Sequence, residues 1–113
     1  KFIDQIVIIA DQRKFVSALI IPEYGALEKY AQANGISFTS RGDLCSNGKI
    51  HQMITERIET LQQQLAHYEQ IKRFTLLPKP FTMESGELTN TLKMRRKVIN
   101  EHYKNEIEKM YAE

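Results

Sequence analysis

A short basic run in the last quarter of the chain has the residue types best suited to chemistry. Lys93-Met94-Arg95-Arg96-Lys97 carries four positive charges in five residues, where a helical pattern begins. Such a cluster at a helix start can bind a phosphate of a nucleic acid, a lipid or a nucleotide. It is also typical of a solvated helix face, because Arg95, Arg96 and Lys97 fall away from the apolar stripe. The run alone leaves both interpretations open.

Other common catalytic and metal sites have no counterpart in the sequence. His51, His67 and His102 lie far apart and have no zinc-type spacing with one another or with Cys45, so no metal site is predicted. There is no Gly-x-Ser-x-Gly segment for a hydrolase nucleophile, and no glycine-rich phosphate loop of the Walker or Rossmann type. Taken alone, the chain lacks the parts of a self-sufficient enzyme.

The composition is that of one globular domain. The chain has 113 residues, 42% of them hydrophobic and 27% charged, with a formal net charge of only +2. That charge gives no general attraction to nucleic acid, and no nucleic-acid partner is predicted. The single cysteine, Cys45, cannot form a disulfide within the chain, which favours a reducing, cytoplasmic setting. The longest apolar runs, residues 6–10 and 15–22, are too short to span a bilayer.

Three strands are predicted around these residues. The β-branched runs 3–10 and 15–21 flank a polar break, which predicts an N-terminal hairpin. A third strand is predicted at 71–77, ended by Pro78. Segment 37–48 is predicted to be a loop, and segment 81–91 to be irregular with Gly86 as its pivot.

Helices are predicted at residues 24–33, at about 49–68 and from about Leu92 onwards. Ser46 or Asn47 is the expected cap of the second helix. Its apolar stripe comprises Ile50, Ile54, Ile58, Leu61, Leu65 and Tyr68. The stripe of the last helix comprises Ile99, Tyr103, Ile107 and Met110. The order predicts a small α+β domain, in which a hairpin and a third strand form a sheet packed by about three helices.

Several separated segments together carry a family resemblance. They are residues 3–23, residues 68–82, the run Gly86-Glu87-Leu88-Thr89-Asn90-Thr91-Leu92-Lys93 with the basic residues after it, and residues 103–111. In this order they resemble the C-terminal part of long-chain fatty acid–CoA ligases, which belong to the adenylate-forming superfamily. Asn90 stands where members often have Pro, and Leu92 where many relatives have Gly. The resemblance covers nearly the whole chain.

The resemblance implies a catalytic role for Lys93. Ligases of this family join a carboxylate to ATP, release pyrophosphate, and transfer the acyl group from AMP to the thiol of CoA. Lys93 is similar to the lysine that the small domain inserts during adenylation. A positive group there would screen the repulsion between the carboxylate and the α-phosphate. Gly86, Thr89 and Thr91 would belong to the loop that carries it.

The resemblance also implies a second face. The small domain would rotate after pyrophosphate leaves and present its hairpin tip, residues 11–15, to CoA, with Arg13, Lys14 and Phe15 as the CoA-side candidates. The full-length enzyme would use ATP, CoA and Mg²⁺, and none is expected on this chain alone. A large N-terminal domain that binds ATP and the fatty acid, with a hinge, is expected upstream of Lys1. The chain alone would then be inactive, and peripheral membrane contact of the full enzyme stays open.

Two other functions remain as alternatives. A free-standing module could bind nucleic acid or anionic lipid through residues 93–97, with a steep salt dependence. The chain could also be a scaffold domain from a catalytically dead homologue. Acyl chain length would be set by the large domain, and the term "long-chain" depends mainly on Thr91-Leu92-Lys93.

Overall fold

The computed structural model of the chain describes residues 2–10 and 13–112, which form one three-stranded sheet with helices on both faces. The strands are β1 (Ile3–Ile9), β2 (Val16–Pro22) and β3 (Ile71–Leu76), in the order β1-β2-β3. The helices are α1 (Tyr24–Ala33), α2 (Arg41–Ser46), α3 (Gly48–Leu61), α4 (Arg96–His102) and α5 (Lys104–Tyr111), with a 3₁₀ turn at His67–Glu69. The predicted α+β class is confirmed.

The central strand β2 pairs differently on its two sides. It is antiparallel to β1, with Ile6 opposite Ile20, and parallel to β3, with Leu19 opposite Thr75. A parallel pair needs a long crossover, and the segment from α1 to α3 provides it. Helices cover both faces, so residues 17–22 of β2 are all buried.

Alternate residues of β2 enter two separate hydrophobic clusters because successive side chains point to opposite faces. Ala18 and Ile20 face α1, α2 and α3. Leu19 and Ile21 face α4 and α5. The first cluster also contains Leu27, Ala31, Leu44, Ile50, Ile54, Ile58 and Leu76. The second also contains Val7, Ile9, Leu77, Phe81, Leu88, Ile99, Ile107 and Met110.

The sequence prediction of a loop at 37–48 was wrong in its second half. α2 forms there because the Ser40 side chain accepts a hydrogen bond from the Asp43 N–H at the helix start. Leu44 then fills the space beside α3 and is fully buried. Asn47 caps α3, as predicted, by accepting from the N–H groups of Lys49 and Ile50.

The predicted helix at 49–68 was too long. α3 ends at Leu61 because the Gln62 side chain hydrogen-bonds both the N–H and the carbonyl of Ile71, which ties the helix end to the start of β3. Leu61, Leu65 and Tyr68 are consequently exposed, and the stripe prediction was wrong for all three.

The last predicted helix was wrong at its start but right in its buried face. It begins at Arg96 instead of Leu92, and it breaks at Tyr103 into α4 and α5. Ile99, Ile107 and Met110 are buried, as the stripe predicts, and Tyr103 packs partly buried against them. No helix among the described residues has the length and apolarity to cross a membrane.

Candidate functional site

Lys93 lies on a tight hairpin whose strands are held by backbone hydrogen bonds. Leu88 and Met94 form an antiparallel bridge. Above it, the Thr89 N–H donates to the Lys93 carbonyl at 2.8 Å, and the Leu92 N–H donates to the Thr89 carbonyl at 2.9 Å. This pattern closes a three-residue loop over residues 90–92. We name residues 88–94 the Lys93 hairpin.

Leu92, directly before Lys93, has a left-handed backbone with φ of 63°. Three-residue hairpin loops commonly place their last residue in this conformation, where glycine is preferred. A residue with a Cβ meets steric strain there, at a cost of about 1–2 kcal/mol. Leu92 is 67% exposed, so its side chain gains little from packing within the described domain.

The hydroxyl of Thr89 organises the loop around Lys93. It accepts hydrogen bonds from the N–H groups of Thr91 (3.3 Å) and Lys93 (3.1 Å), and it lies 3.0 Å from the Thr91 hydroxyl. The Lys93 backbone is therefore fixed at both its N–H and its carbonyl. Its side chain is exposed and has no hydrogen bond or ion pair with any residue that the structure describes.

A buried carboxylate anchors the base of the hairpin. Glu87 is only 4% exposed, and its carboxylate accepts hydrogen bonds from the Ser85 hydroxyl and pairs with the Nδ1 of His102 on α4, both at 2.8 Å. The Glu87 carbonyl also accepts from the Arg95 N–H at 2.8 Å. Burial, together with the charges of Glu87 and Glu106, raises the pKa of Tyr103 nearby. Gly86, the predicted pivot, has φ of 81°.

The basic run spans the start of α4, but Lys93 lies outside the helix. α4 begins at Arg96, so Lys93 lies three residues before it, which corrects the predicted position. Arg95, Arg96 and Lys97 are exposed, as the polar-face interpretation predicts. Arg96 nonetheless has a structural contact, since its guanidinium donates to the Ile8 carbonyl at 2.7 Å.

The described part of the hairpin tip, residues 13–15, is held against α5 by a stack of four side chains. The Arg73 guanidinium lies over the Phe15 ring at 5.3 Å, Phe15 stacks on Tyr111 at 4.6 Å, and Arg13 lies over Tyr111 at 4.9 Å. Arg13 also forms a 3.0 Å ion pair with Glu108. We name Arg73, Phe15, Tyr111 and Arg13 the four-residue stack.

The Tyr111 hydroxyl lies at the centre of this contact. Its single proton lies between the carbonyls of Phe15 (2.6 Å) and Ile9 (3.1 Å), and its oxygen accepts from the Ser17 hydroxyl at 2.9 Å. Cation–π and stacked contacts of this kind favour a fixed geometry. The tip is therefore attached to the last helix.

The structure separates the predicted residues into two groups. Gly86, Thr89, Thr91 and Lys93 lie in one continuous segment, whereas Arg13 and Phe15 lie at the tip with Lys14 exposed beside them. Asp11 and Gln12, also in the predicted tip, lie outside the described residues. Sequence reasoning missed Glu87 and Tyr111. An acid that faces inward from a polar loop gives no periodic signal, and Tyr111 lies outside the predicted apolar stripe of the last helix.

The sequence matches a known family over its whole length. A family model described as "AMP-binding enzyme C-terminal domain" matches residues 1–113. Long-chain-fatty-acid–CoA ligase FadD15 of Mycobacterium tuberculosis is 34% identical over 110 residues, which cover 96% of this chain and 18% of that protein. Long chain acyl-CoA synthetase 8 of Arabidopsis thaliana is 33% identical over 116 residues, covering 98% and 16%. The chain thus spans less than a fifth of the length of these relatives.

Solved structures share the fold. The adenylation domain of a carboxylate reductase from Mycobacterium chelonae superposes with a TM-score of 0.78 at 27% identity, over 99% of this chain and 16% of that one. The A-PCP didomain of the carboxylic acid reductase from Segniliparus rugosus, solved with AMP, gives 0.74 at 22% identity, over 97% and 14%. The resemblance that the sequence motifs carry is confirmed: the chain belongs to the AMP-binding enzyme C-terminal domain family.

Proposed function

We propose that this chain is the mobile C-terminal domain of a long-chain fatty acid–CoA ligase, and that Lys93 is its adenylation lysine. The whole protein would activate a fatty acid to acyl-AMP with ATP and then transfer the acyl group to CoA. A large N-terminal domain would bind ATP and the fatty acid. The observation that carries the proposal is Lys93 itself, which extends from a hairpin with a fixed backbone and a solvated side chain.

The geometry of the Lys93 hairpin suits insertion into a cleft between domains. In the adenylation step a carboxylate oxygen attacks the α-phosphorus of ATP, the bond to pyrophosphate breaks, and negative charge increases between the two anions. An ammonium on a long flexible stem can reach that point and stabilise the charge. Because the backbone of Lys93 is held by Thr89, the side chain alone needs to become ordered when the hairpin is inserted.

A single substitution in the full-length enzyme tests the role. Lys93→Ala should slow acyl-adenylate formation by about 10²–10³, the usual scale for one transition-state donor, with ATP–pyrophosphate exchange as the measurement. Lys97→Ala is the matched control, because Lys97 is an exposed lysine of the same basic run. Equal exchange rates in the Lys93→Ala variant and the wild type would refute the assignment.

The hairpin tip is the proposed CoA face. Phe15 offers an aromatic edge beside two cations, Arg13 and Lys14, which suits a ligand with phosphates and a nucleobase. Arg13 already pairs with Glu108, so a CoA phosphate would have to compete with that carboxylate. An Arg13→Ala, Lys14→Ala double variant should raise the KM for CoA while its adenylation rate stays unchanged. An unchanged KM in a variant with wild-type melting temperature would count against this face.

The remaining substrates are assigned to the large domain. Mg²⁺ would accompany ATP in that domain. The word "long-chain" depends on the names of the relatives. Adenylation assays with fatty acids of graded length in the full protein would establish the preferred chain, and failure to form any acyl-AMP would favour the scaffold alternative.

A further inference from the structure

Leu92 is an unusual residue for the last position of the hairpin loop, because it combines three properties. Its backbone is left-handed, its side chain is mostly exposed, and it directly precedes Lys93. A glycine or an asparagine would adopt the same backbone with less strain. A leucine is therefore an unfavourable residue for the hairpin taken alone.

The side chain of Leu92 joins neither hydrophobic cluster of the described domain, so its packing does not offset the strain. An aliphatic side chain forms no hydrogen bonds, so its only source of favourable free energy is removal from water. With Leu92 67% exposed, most of that gain is absent in this structure. Strained residues that persist without local compensation are concentrated at functional sites.

We propose that Leu92 is a positioning residue, which packs against an apolar surface of the protein's own large domain when the Lys93 hairpin enters the adenylation cleft. The inference depends on the proposed function of Lys93. The Cα atoms of adjacent residues are about 3.8 Å apart, so Leu92 must enter any cleft that receives the Lys93 backbone. Burial there would stabilise the inserted state and hold Lys93 in place.

The burial would act on one half-reaction. Contact exists only while the hairpin is inserted, so its loss lowers the fraction of enzyme in the adenylating conformation. The rate of adenylation falls, whereas the KM for ATP stays unchanged because ATP binds the large domain. Thioester formation from supplied acyl-AMP does not use the inserted hairpin and also stays unchanged.

Four substitutions in the full-length enzyme separate backbone strain from apolar contact. Leu92→Gly and Leu92→Asn relax the backbone and remove the apolar side chain, Leu92→Ala keeps the strain and removes most of the side chain, and Leu92→Met keeps both. Gly, Asn and Ala should each lower the adenylation rate about tenfold, as expected for losing part of the burial of a leucine. Met should stay within about twofold of wild type.

Stability distinguishes positioning from a fold defect. The Gly and Asn variants should melt no lower than wild type, because they remove strain from an exposed residue. Leu61→Ala is the matched control, since Leu61 is an exposed leucine at the end of α3, and it should adenylate at the wild-type rate.

Three results would overturn the inference: wild-type adenylation in Leu92→Gly, a Met variant as slow as the Gly variant, or a rate loss that follows a lower melting temperature. Its failure is distinguishable from failure of the proposed function. If Lys93→Ala forms acyl-adenylate slowly and Leu92→Gly forms it at the wild-type rate, only the role of Leu92 is refuted. If Lys93→Ala itself forms acyl-adenylate at the wild-type rate, the adenylation role of Lys93 is refuted.

Discussion

Tyr111→Phe removes only the phenol hydroxyl, and we expect it to destabilise the domain. The Tyr111 hydroxyl accepts from Ser17, which is fully buried in β2, and shares its proton between the carbonyls of Phe15 and Ile9. Phenylalanine keeps the ring contact with Phe15 but leaves the Ser17 hydroxyl without this acceptor. The change therefore isolates the hydrogen bonds from the four-residue stack.

The magnitude follows from the hydroxyl that loses its partner. A buried polar group without its hydrogen bond costs about 1–3 kcal/mol, so Tyr111→Phe should lower the free energy of unfolding by about 2 kcal/mol. Ser17→Ala removes one hydrogen bond and leaves Tyr111 bound to the carbonyls, at about 1 kcal/mol. The double variant has no buried Ser17 hydroxyl without a partner. Its free energy of unfolding should therefore fall by about 2 kcal/mol, less than the sum of the two single variants, which is about 3 kcal/mol.

Urea unfolding of the chain, followed by circular dichroism, measures all three variants. Tyr68→Phe is the control because Tyr68 is 79% exposed, and we expect its free energy of unfolding to change by less than about 0.5 kcal/mol. Strictly additive costs for Tyr111→Phe and Ser17→Ala would show that the two hydroxyls do not depend on each other, and the reasoning would fail.

Three further residues, Gly86, Tyr24 and Cys45, give measurable effects. Gly86→Ala should lower the free energy of unfolding in urea by about 1–2 kcal/mol, because the φ of Gly86 is 81° and alanine is strained there. An added Cβ would meet Val98 only at an ordinary contact distance of 3.9 Å, so the backbone conformation is the cause. Gly48→Ala is the control, because Gly48 has open space at a helix start, and it should not destabilise the chain. Burial, together with the hydrogen bond to Cys45, raises the pKa of Tyr24. The stability that the protonated Tyr24 hydroxyl contributes is therefore complete below the ordinary tyrosine pKa of about 10, and it is lost as the pH rises above that value. Tyr24→Phe should therefore flatten the alkaline loss of unfolding free energy. Burial also raises the pKa of the Cys45 thiol, so iodoacetamide at pH 8 should alkylate it more slowly in the folded chain than in urea.

Strong local patterns made much of the fold predictable. β-branched runs located β1 and β2, and α1 spans the predicted residues 24–33. The errors arose where a single side chain overrode periodicity. Gln62 ends α3 by bonding to Ile71, and Ser40 starts α2 inside a polar segment. Such contacts join residues that no periodic pattern relates.

The candidate site was predictable to the level of its segment but not its geometry. The motif placed Lys93 after Gly86 and Thr89, and all three lie in one loop. The left-handed backbone of Leu92 and the burial of Glu87 depend on how the hairpin closes and on where α4 brings His102. Both are consequences of tertiary packing, which residue type and spacing do not specify.

The two-faced burial of β2 has a consequence for synthesis on the ribosome. Leu19 leaves the ribosome long before Met110, which completes the cluster on its face, and about 90 residues separate them. At translation rates of about 5–20 residues per second, that apolar face of β2 stays exposed for about 5–20 s before α5 is synthesised. The hairpin can form early, but its exposed surface would attract other chains or chaperones until α5 arrives. The helix that closes this face also carries Tyr111, so the same helix completes the second cluster and holds the hairpin tip.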